Sequence, residues 1–247
     1  MIKRALHRLL PDRLVMHLQA GDHFLRGEPE LRLLPHLCDK QKTSLDVGAN
    51  IGTYTYFMRK HSRSVRAFEP NPALARRLES LFPDVTVRHA AVTNTPGELR
   101  LRVPIVDGRA QHELASVEAG FDDDEVEEYC VPAVRLDDEA TTEVGFIKVD
   151  AERHEIPVLQ GAMQTINKYR PVIMTEATPL LYPCPLPEMF RFVTEVGYEG
   201  WFRFEGAYHP FSHFNREVHT NRKDWGVRFI ENNVIFLPVE KNAFFLT

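Results

Sequence analysis

A short apolar run, Ser44–Val47, stops at an acid-flanked glycine turn, Asp46-Val47-Gly48-Ala49-Asn50-Ile51-Gly52, and the helical pattern Thr53–Lys60 starts directly behind it. Few folds begin a core strand this way. Gly48 lets the backbone turn tightly and approach a ligand with no Cβ in the way. Gly52 permits close packing of helix on strand. The helix N-terminus behind them presents unpaired N–H groups to an electron-rich ligand. A second short strand, Val65–Glu69, then ends in a carboxylate about twenty residues past Asp46, where it can accept both hydroxyls of a ribose.

The rest of the chain alternates in the same style. Asn71–Leu81 is a predicted helix, with Asn71 as its cap, Pro72 at the first helical position and leucines at 74, 78 and 81 in a stripe. Predicted strands follow at Val85–Ala91, Gly97–Val103 (paired with Val131–Val134), Val144–Asp150 and Pro171–Glu176, with two late ones at Tyr198–Phe204 and Asn233–Pro238. Helices are predicted over Ile156–Tyr169 and Leu186–Val196, the latter stopped by Gly197. This is the signature of βαβ crossovers: a mostly parallel sheet with helices on both faces and an antiparallel strand late in the order. Runs such as Phe146-Ile147-Lys148-Val149 fail to alternate because both faces of a parallel strand are buried. Residues 1–42 read as a helical N-terminal appendage and 43–247 as a single domain.

Composition narrows the function. With 43% hydrophobic residues over 247 positions the chain can fill a core, and its net charge of −5 disfavours a protein that wraps nucleic acid. Cys38, Cys130 and Cys184 are odd in number and form no CxxC pair, so reduced thiols in a cytoplasmic protein are expected. No apolar run of about 18 residues suits a membrane span. The basic, leucine-bearing start, Met1 to Gln19, is interrupted by Arg8, Pro11, Asp12 and Arg13, unlike a signal peptide. It reads as an amphipathic helix packed on the domain or on a second subunit, with a homodimer as one outcome; a membrane or partner helix is the competing reading. The acidic run Asp122-Asp123-Asp124-Glu125 reads as a solvated loop.

The ligand follows from what the turn lacks. A dinucleotide fingerprint needs further glycines where this chain has Asn50 and Thr53, and Asp46 just before the turn would repel a pyrophosphate. An acid there can instead pair with an ammonium, which favours S-adenosylmethionine over NAD or FAD. Asp46, Glu69, Asp150 and Glu176 all end strands, where open α/β sheets bind ligands.

The strings DVGANIGTYT (46–55), AFEPNP (67–72), RLDD (135–138) and FIKVDAERHEIPVLQGA (146–162) together resemble the FkbM family of S-adenosylmethionine-dependent methyltransferases, over about residues 43–176. The resemblance implies a class I methyltransferase, Rossmann-like α/β fold and O-methylation of a hydroxyl on a sugar, polyketide or similar small molecule. It implies a cofactor set of Asp46, Gly48, Asn50, Gly52, Thr53, Glu69, Pro70, Asn71, Ala91 and Asp150. The family commonly carries E-G-x-E where this chain has Glu152-Arg153-His154-Glu155, so a side chain replaces a glycine beside the acceptor pocket.

Methyl transfer from a sulfonium needs an aligned acceptor oxygen whose proton is removed or masked. Asp150, Glu152, His154 and Glu176 are the catalytic candidates. Either Asp150 or His154 acts as general base, which is preferred, or Asp150, Glu152 and Glu176 hold a Mg²⁺-like ion. Glu152 and Glu155 also suit a helix first turn, and Lys148 suits a structural partner for an acid. The segment Glu205–Asp224, with His209, His213 and His219, is expected to line an aromatic acceptor pocket rather than bind a metal. Trp201, Phe202 and Phe204 are expected in the core or at a subunit contact. Competing functions are a nicotinamide-dependent oxidoreductase and a non-catalytic nucleoside-binding or assembly module.

Overall fold

Thr43–Val47 forms the central strand of the protein, and all five of its residues are buried, as a strand covered on both faces requires. The computed structural model describes residues 10–106, 108–111, 115–118, 125–177, 184–219, 230–241 and 243–246. In chain order the elements before and around that strand are α1 (Asp12–Arg26), α2 (Leu34–Leu37), β1 (Thr43–Val47), α3 (Thr53–His61), β2 (Ser64–Phe68), α4 (Pro72–Leu81), β3 (Thr86–Arg88), β4 (Ala91–Val92), β5 (Gly97–Val106), β6 (Arg109–Ala110) and β7 (Val126–Val134). There follow α5 (Leu136–Glu139), β8 (Val144–Val149), α6 (Glu155–Gln160), α7 (Met163–Tyr169), β9 (Val172–Glu176), α8 (Leu186–Met189), α9 (Arg191–Thr194), β10 (Tyr198–Phe204), β11 (Ala207–Pro210), α10 (Arg216–His219) and β12 (Ile230–Pro238).

Eight strands form the main sheet in the order β11-β10-β12-β9-β8-β1-β2-β3. β1 runs parallel to both β2 and β8, and β8 parallel to β9. The chain therefore leaves β1 to one side first and returns to its other side later. The carboxyl ends of β1 and β8 flank that reversal, the place where such sheets bind ligands. β12 is the expected late antiparallel strand, and β11 is a second reversed strand at the sheet edge, built from the start of the segment read as an insert. Each face of the sheet has its own core. Ile147 and Val149 of β8 join one, while Phe146 joins the other, together with Met16, Ala20 and Leu34 from the helices before β1.

Several boundaries differ from the sequence reading. The strand predicted over Val85–Ala91 is two strands: Thr86–Arg88 closes the main sheet, and Ala91 leaves it to pair with β7 in a second sheet, β4-β7-β5-β6. The helix predicted over Ile156–Tyr169 breaks at Gly161-Ala162. There the backbone passes so near Thr93 that a Cβ on Gly161 would lie 2.2 Å from the Thr93 carbonyl oxygen. Asp137 then caps the second half, its two carboxylate oxygens accepting from the Gln164 and Thr165 amides. The helix over Leu186–Val196 likewise splits at Phe190, whose side chain is fully buried. Asn71 caps α4 as expected, its Oδ1 accepting from the amides of Ala73 and Leu74.

Trp201, Phe202 and Phe204 are core residues. The three cysteines are free, and no helix among the described residues is long and apolar enough to cross a membrane. Residues 122–124 of the acidic run, and 220–224 of the insert, lie outside the described residues.

Candidate functional site

Gly48 turns at φ 71°, and a Cβ there would lie 1.7 Å from the Asp150 carbonyl oxygen. The tips of β1 and β8 are thus pressed together, with the Asp150 amide donating to the Val47 carbonyl at 3.0 Å. Gly52, at φ 92°, packs against Leu78 and Phe82, which seats α3 on α4 and the residue after it. Between them Asn50 takes the left-handed conformation, which asparagine tolerates, and donates its amide to Glu69 Oε2 at 2.7 Å. The Asn71 amide donates to the other Glu69 oxygen at 2.8 Å. Burial pushes the Glu69 carboxyl up to about 7, against the pull of those two amides and of Lys148.

A cleft opens beside these tips. Gly48, Asn50, Glu69 and Pro70 form one wall; Ala91, Val92 and Leu101 form an apolar one; Asp150, Glu152 and His154 close the end. The apolar wall comes from the second sheet and from Ala115 and Val117, which the sequence reading did not assign to any site. Of the predicted cofactor set, Asp46, Gly52, Thr53 and Asn71 do not line this cleft. Asp46 is fully buried behind it, accepting from Thr55 Oγ1 at 2.5 Å and lying 3.9 Å from Lys148 Nζ. The ammonium that pairs with Asp46 therefore belongs to the chain itself.

Lys148 organises the acids. Its Nζ donates to the Gly48 carbonyl at 3.2 Å and to Asp150 Oδ2 at 3.1 Å, and lies 5.0 Å from the centre of the Tyr54 ring. Burial pulls the Lys148 ammonium down, but Asp150, Asp46 and Glu28 outweigh it and hold the group charged well above its usual range. For Asp150, burial works upward, and Lys148 with a hydrogen bond from Glu176 brings the carboxyl below its ordinary value. Glu176 moves the other way: burial, then the Asp150 charge, keeps it protonated and donating to Asp150. Burial, with Asp150 and Glu155 nearby, raises Glu152 to about 7. The three acids proposed for a divalent ion thus have an ammonium already among them and one proton shared out. No metal-suited group of three or more His, Cys, Asp or Glu exists among the described residues, so the donor set does not fit such an ion.

His154 is held at both ring nitrogens, by Glu118 at 2.5 Å and by Thr93 Oγ1 at 3.0 Å. Ser116 donates to the Glu152 carbonyl at 2.7 Å in the same corner. His154 therefore ties the second sheet to the tip of β8, and taking up an acceptor's proton would break one of those contacts. Glu155 is structural too: its Oε1 accepts from the amides of Ala151 and Arg153. None of His209, His213 and His219 lines the cleft; among the described residues of the insert, Phe211 is buried in the core and the His219 ring lies 4.9 Å from that of Phe202. The aromatic acceptor pocket expected there is not part of this cleft.

Glu152 and Arg153 both adopt positive φ, 47° and 79°. Arg153 occupies the position of the family's glycine, and its backbone conformation is the one glycine adopts at no steric cost. A left-handed non-glycine residue costs roughly 1–2 kcal/mol, of which glycine's larger unfolded-state entropy returns about half. Arg153→Gly is therefore expected to stabilise the protein by about 0.5–1 kcal/mol in urea unfolding. An unchanged or lower midpoint would mean that the Arg153 side chain contributes more than its backbone costs.

A family profile described as Methyltransferase FkbM domain matches residues 46–199. Hexuronic acid methyltransferase AglP of Haloferax volcanii is 28% identical over 156 residues, 58% of this chain and 61% of that protein. Among solved structures, methyltransferase FkbM from Methylobacillus flagellatus aligns with a TM-score of 0.50 at 18% identity, over 81% of this chain and 44% of that one. The Streptococcus mutans protein SMU.1697c, in complex with SAH, aligns with a TM-score of 0.44 at 11% identity, over 85% of this chain and 96% of its own. The chain thus spans less than two thirds of AglP and of the Methylobacillus protein.

Proposed function

The chain belongs to the FkbM methyltransferase domain family, and we propose that it transfers a methyl group from S-adenosylmethionine, bound in the cleft, to a hydroxyl of a small molecule or saccharide. The charge of the cleft carries this reading. Glu69, Asp150 and Glu152 line it, and no Lys or Arg does among the described lining residues. Such a lining suits a cationic nucleoside and repels a diphosphate, which also argues against the nicotinamide alternative. S-adenosylmethionine supplies a methyl group already activated on a sulfonium. Glu69 would hold the ribose hydroxyls, Gly48 and Asn50 the backbone approach, and the apolar wall at Ala91 and Leu101 the adenine. Asp150 and Glu152 would hold and deprotonate the acceptor hydroxyl at the closed end.

A saccharide acceptor is favoured by the match to AglP, which is a hexuronic acid methyltransferase. The test is transfer of labelled methyl from S-adenosylmethionine to a panel of saccharides, uronic acids included. A methyl ether survives mild alkali, so alkali-stable label supports a hydroxyl acceptor. Label released by alkali would mark a carboxylate acceptor and overturn that part of the reading.

The cofactor site has its own test. Ionised Glu69 accepts ribose hydroxyls, and proton uptake competes with that role, so binding should strengthen as pH rises. S-adenosylhomocysteine affinity is expected to fall by up to about tenfold per unit below pH ~7 and to level off above it. Glu69→Gln should bind weakly with that part of the dependence gone. Equal calorimetric affinity for wild type and variant would remove the ribose assignment.

A further inference from the structure

Residues 115–118 border the cleft as a short extended strap, and the cofactor wall uses only half of them. The strap pairs with β5: the Arg102 amide donates to the Ser116 carbonyl at 2.9 Å, and the Ser116 amide to the Arg102 carbonyl at 3.0 Å. Extended backbone turns alternate side chains to opposite faces. Ala115 and Val117 pack with Ala91 and Leu101 and line the cleft. Ser116 and Glu118 reach instead for the loop after β8. The Ser116 hydroxyl, on a residue only 3% exposed, donates to the Glu152 carbonyl at 2.7 Å. Glu118 Oε1 lies 2.5 Å from His154 Nδ1. The Glu118 amide donates to Ser116 Oγ at 3.1 Å, so the hydroxyl is itself held in place.

The loop requires such support. Glu152 and Arg153 both adopt positive φ, a conformation that is costly for non-glycine residues and persists only where the surroundings fix it. Within the loop, Glu155 accepts from the Ala151 and Arg153 amides. That local cap does not reach the Glu152 carbonyl. This carbonyl belongs to the planar peptide group that Glu152 and Arg153 share, so turning it changes ψ of one and φ of the other together. The Ser116 bond therefore acts on both strained residues at once. Thr93, from the same side, holds the other nitrogen of His154 at 3.0 Å. Glu152, whose backbone is fixed in this way, lines the closed end of the cleft.

We infer that Ser116 and Glu118 are positioning residues for methyl transfer, an inference that rests on the proposed function: they hold the loop that presents Glu152 to the acceptor, while Ala115 and Val117 serve the cofactor. Hydrogen exchange tests the hold without any acceptor. In Ser116→Ala/Glu118→Ala the Arg153 and His154 amides should exchange at least about tenfold faster, with those of β8 unchanged. Methyl transfer to whichever saccharide of the panel wild type labels best tests the consequence. The same variant should lose at least about tenfold in kcat, since a small misplacement of a reacting group is costly. Its calorimetric affinity for S-adenosylhomocysteine should stay within about threefold of wild type, because Ala115 and Val117 keep their packing. Glu118→Gln still offers His154 an oxygen and should keep kcat within about threefold. Unchanged exchange or unchanged kcat in the double variant would overturn the inference. So would kcat and S-adenosylhomocysteine affinity falling together, which would make the strap a support for the whole cleft. Glu118→Gln as damaging as the double variant would assign the effect to charge and not to position. A panel on which wild type labels nothing would remove the proposed function, and this assignment with it, whatever the exchange rates show.

Discussion

Lys148→Met is expected to destabilise the folded protein by about 3–5 kcal/mol, the usual consequence of removing one partner from a buried charge group. Lys148 is 4% exposed and Asp46 fully buried. Asp46 Oδ2 has Thr55, but Oδ1 has no hydrogen-bond partner and depends on the ammonium 3.9 Å away. Methionine fills much the same volume, so packing changes little and the loss is electrostatic. The substitution also removes a donor from the Gly48 carbonyl and the countercharge of Asp150 at the closed end of the cleft.

The sign of its pH dependence separates this from a packing defect. Burial already raises Asp46, and Lys148 is the largest influence opposing that rise. A carboxyl whose folded pKa lies above its unfolded value contributes stability at low pH that is lost as pH rises through the folded pKa. Removing Lys148 lifts Asp46 further, so the variant's deficit should grow as pH rises from a mildly acidic to a mildly alkaline value. Asp46→Asn added to Lys148→Met should recover much of it, since the pair is coupled. Urea unfolding at both pH values reads this out. A deficit below about 1 kcal/mol at both would mean that Asp46 is neutral in the native state and that the ammonium is incidental to it.

Local chemistry made part of this legible from sequence. Asn71-Pro72 marks a helix start, Gly48 and Gly52 mark left-handed turns, and Phe146 to Asp150 marks a strand buried on both faces; each signal lies within a few residues of its consequence. The misreadings share another cause. Gly161 breaks a helix because Thr93 arrives from a distant strand, and Ala91 changes sheets because β7 offers it a partner. Asp46 reads as a ligand for an ammonium, which is chemically sound, but its ammonium is that of Lys148, far along the chain and directly opposite it where β8 pairs with β1. The apolar wall at Leu101, Ala115 and Val117 carries no motif at all. His154 illustrates the limit best: a histidine beside two acids invites a base, and only the positions of Glu118 and Thr93 show both of its nitrogens engaged.

Asp150→Asn should lower kcat by about 10²–10⁴, or roughly 3–5 kcal/mol, while changing S-adenosylhomocysteine affinity by less than about threefold. Asparagine keeps the shape and can still accept from Lys148, but it carries no charge at the closed end of the cleft. Glu152→Gln should act differently, because the environment drives the two acids apart. Lys148 and Glu176 keep Asp150 ionised, whereas burial and the Asp150 charge lift Glu152 to about 7. A base near the working pH accepts protons most effectively, so under the proposed function Glu152 would take the proton and Asp150 would orient the hydroxyl that gives it up. The kcat of wild type should then rise with pH to a plateau above ~7. Asp150→Asn should shift that rise downward, since removing the neighbouring charge lowers Glu152, and Glu152→Gln should abolish it. A rise that survives in Glu152→Gln, with Asp150→Asn fully active, would move the proton acceptor away from the tip of β8.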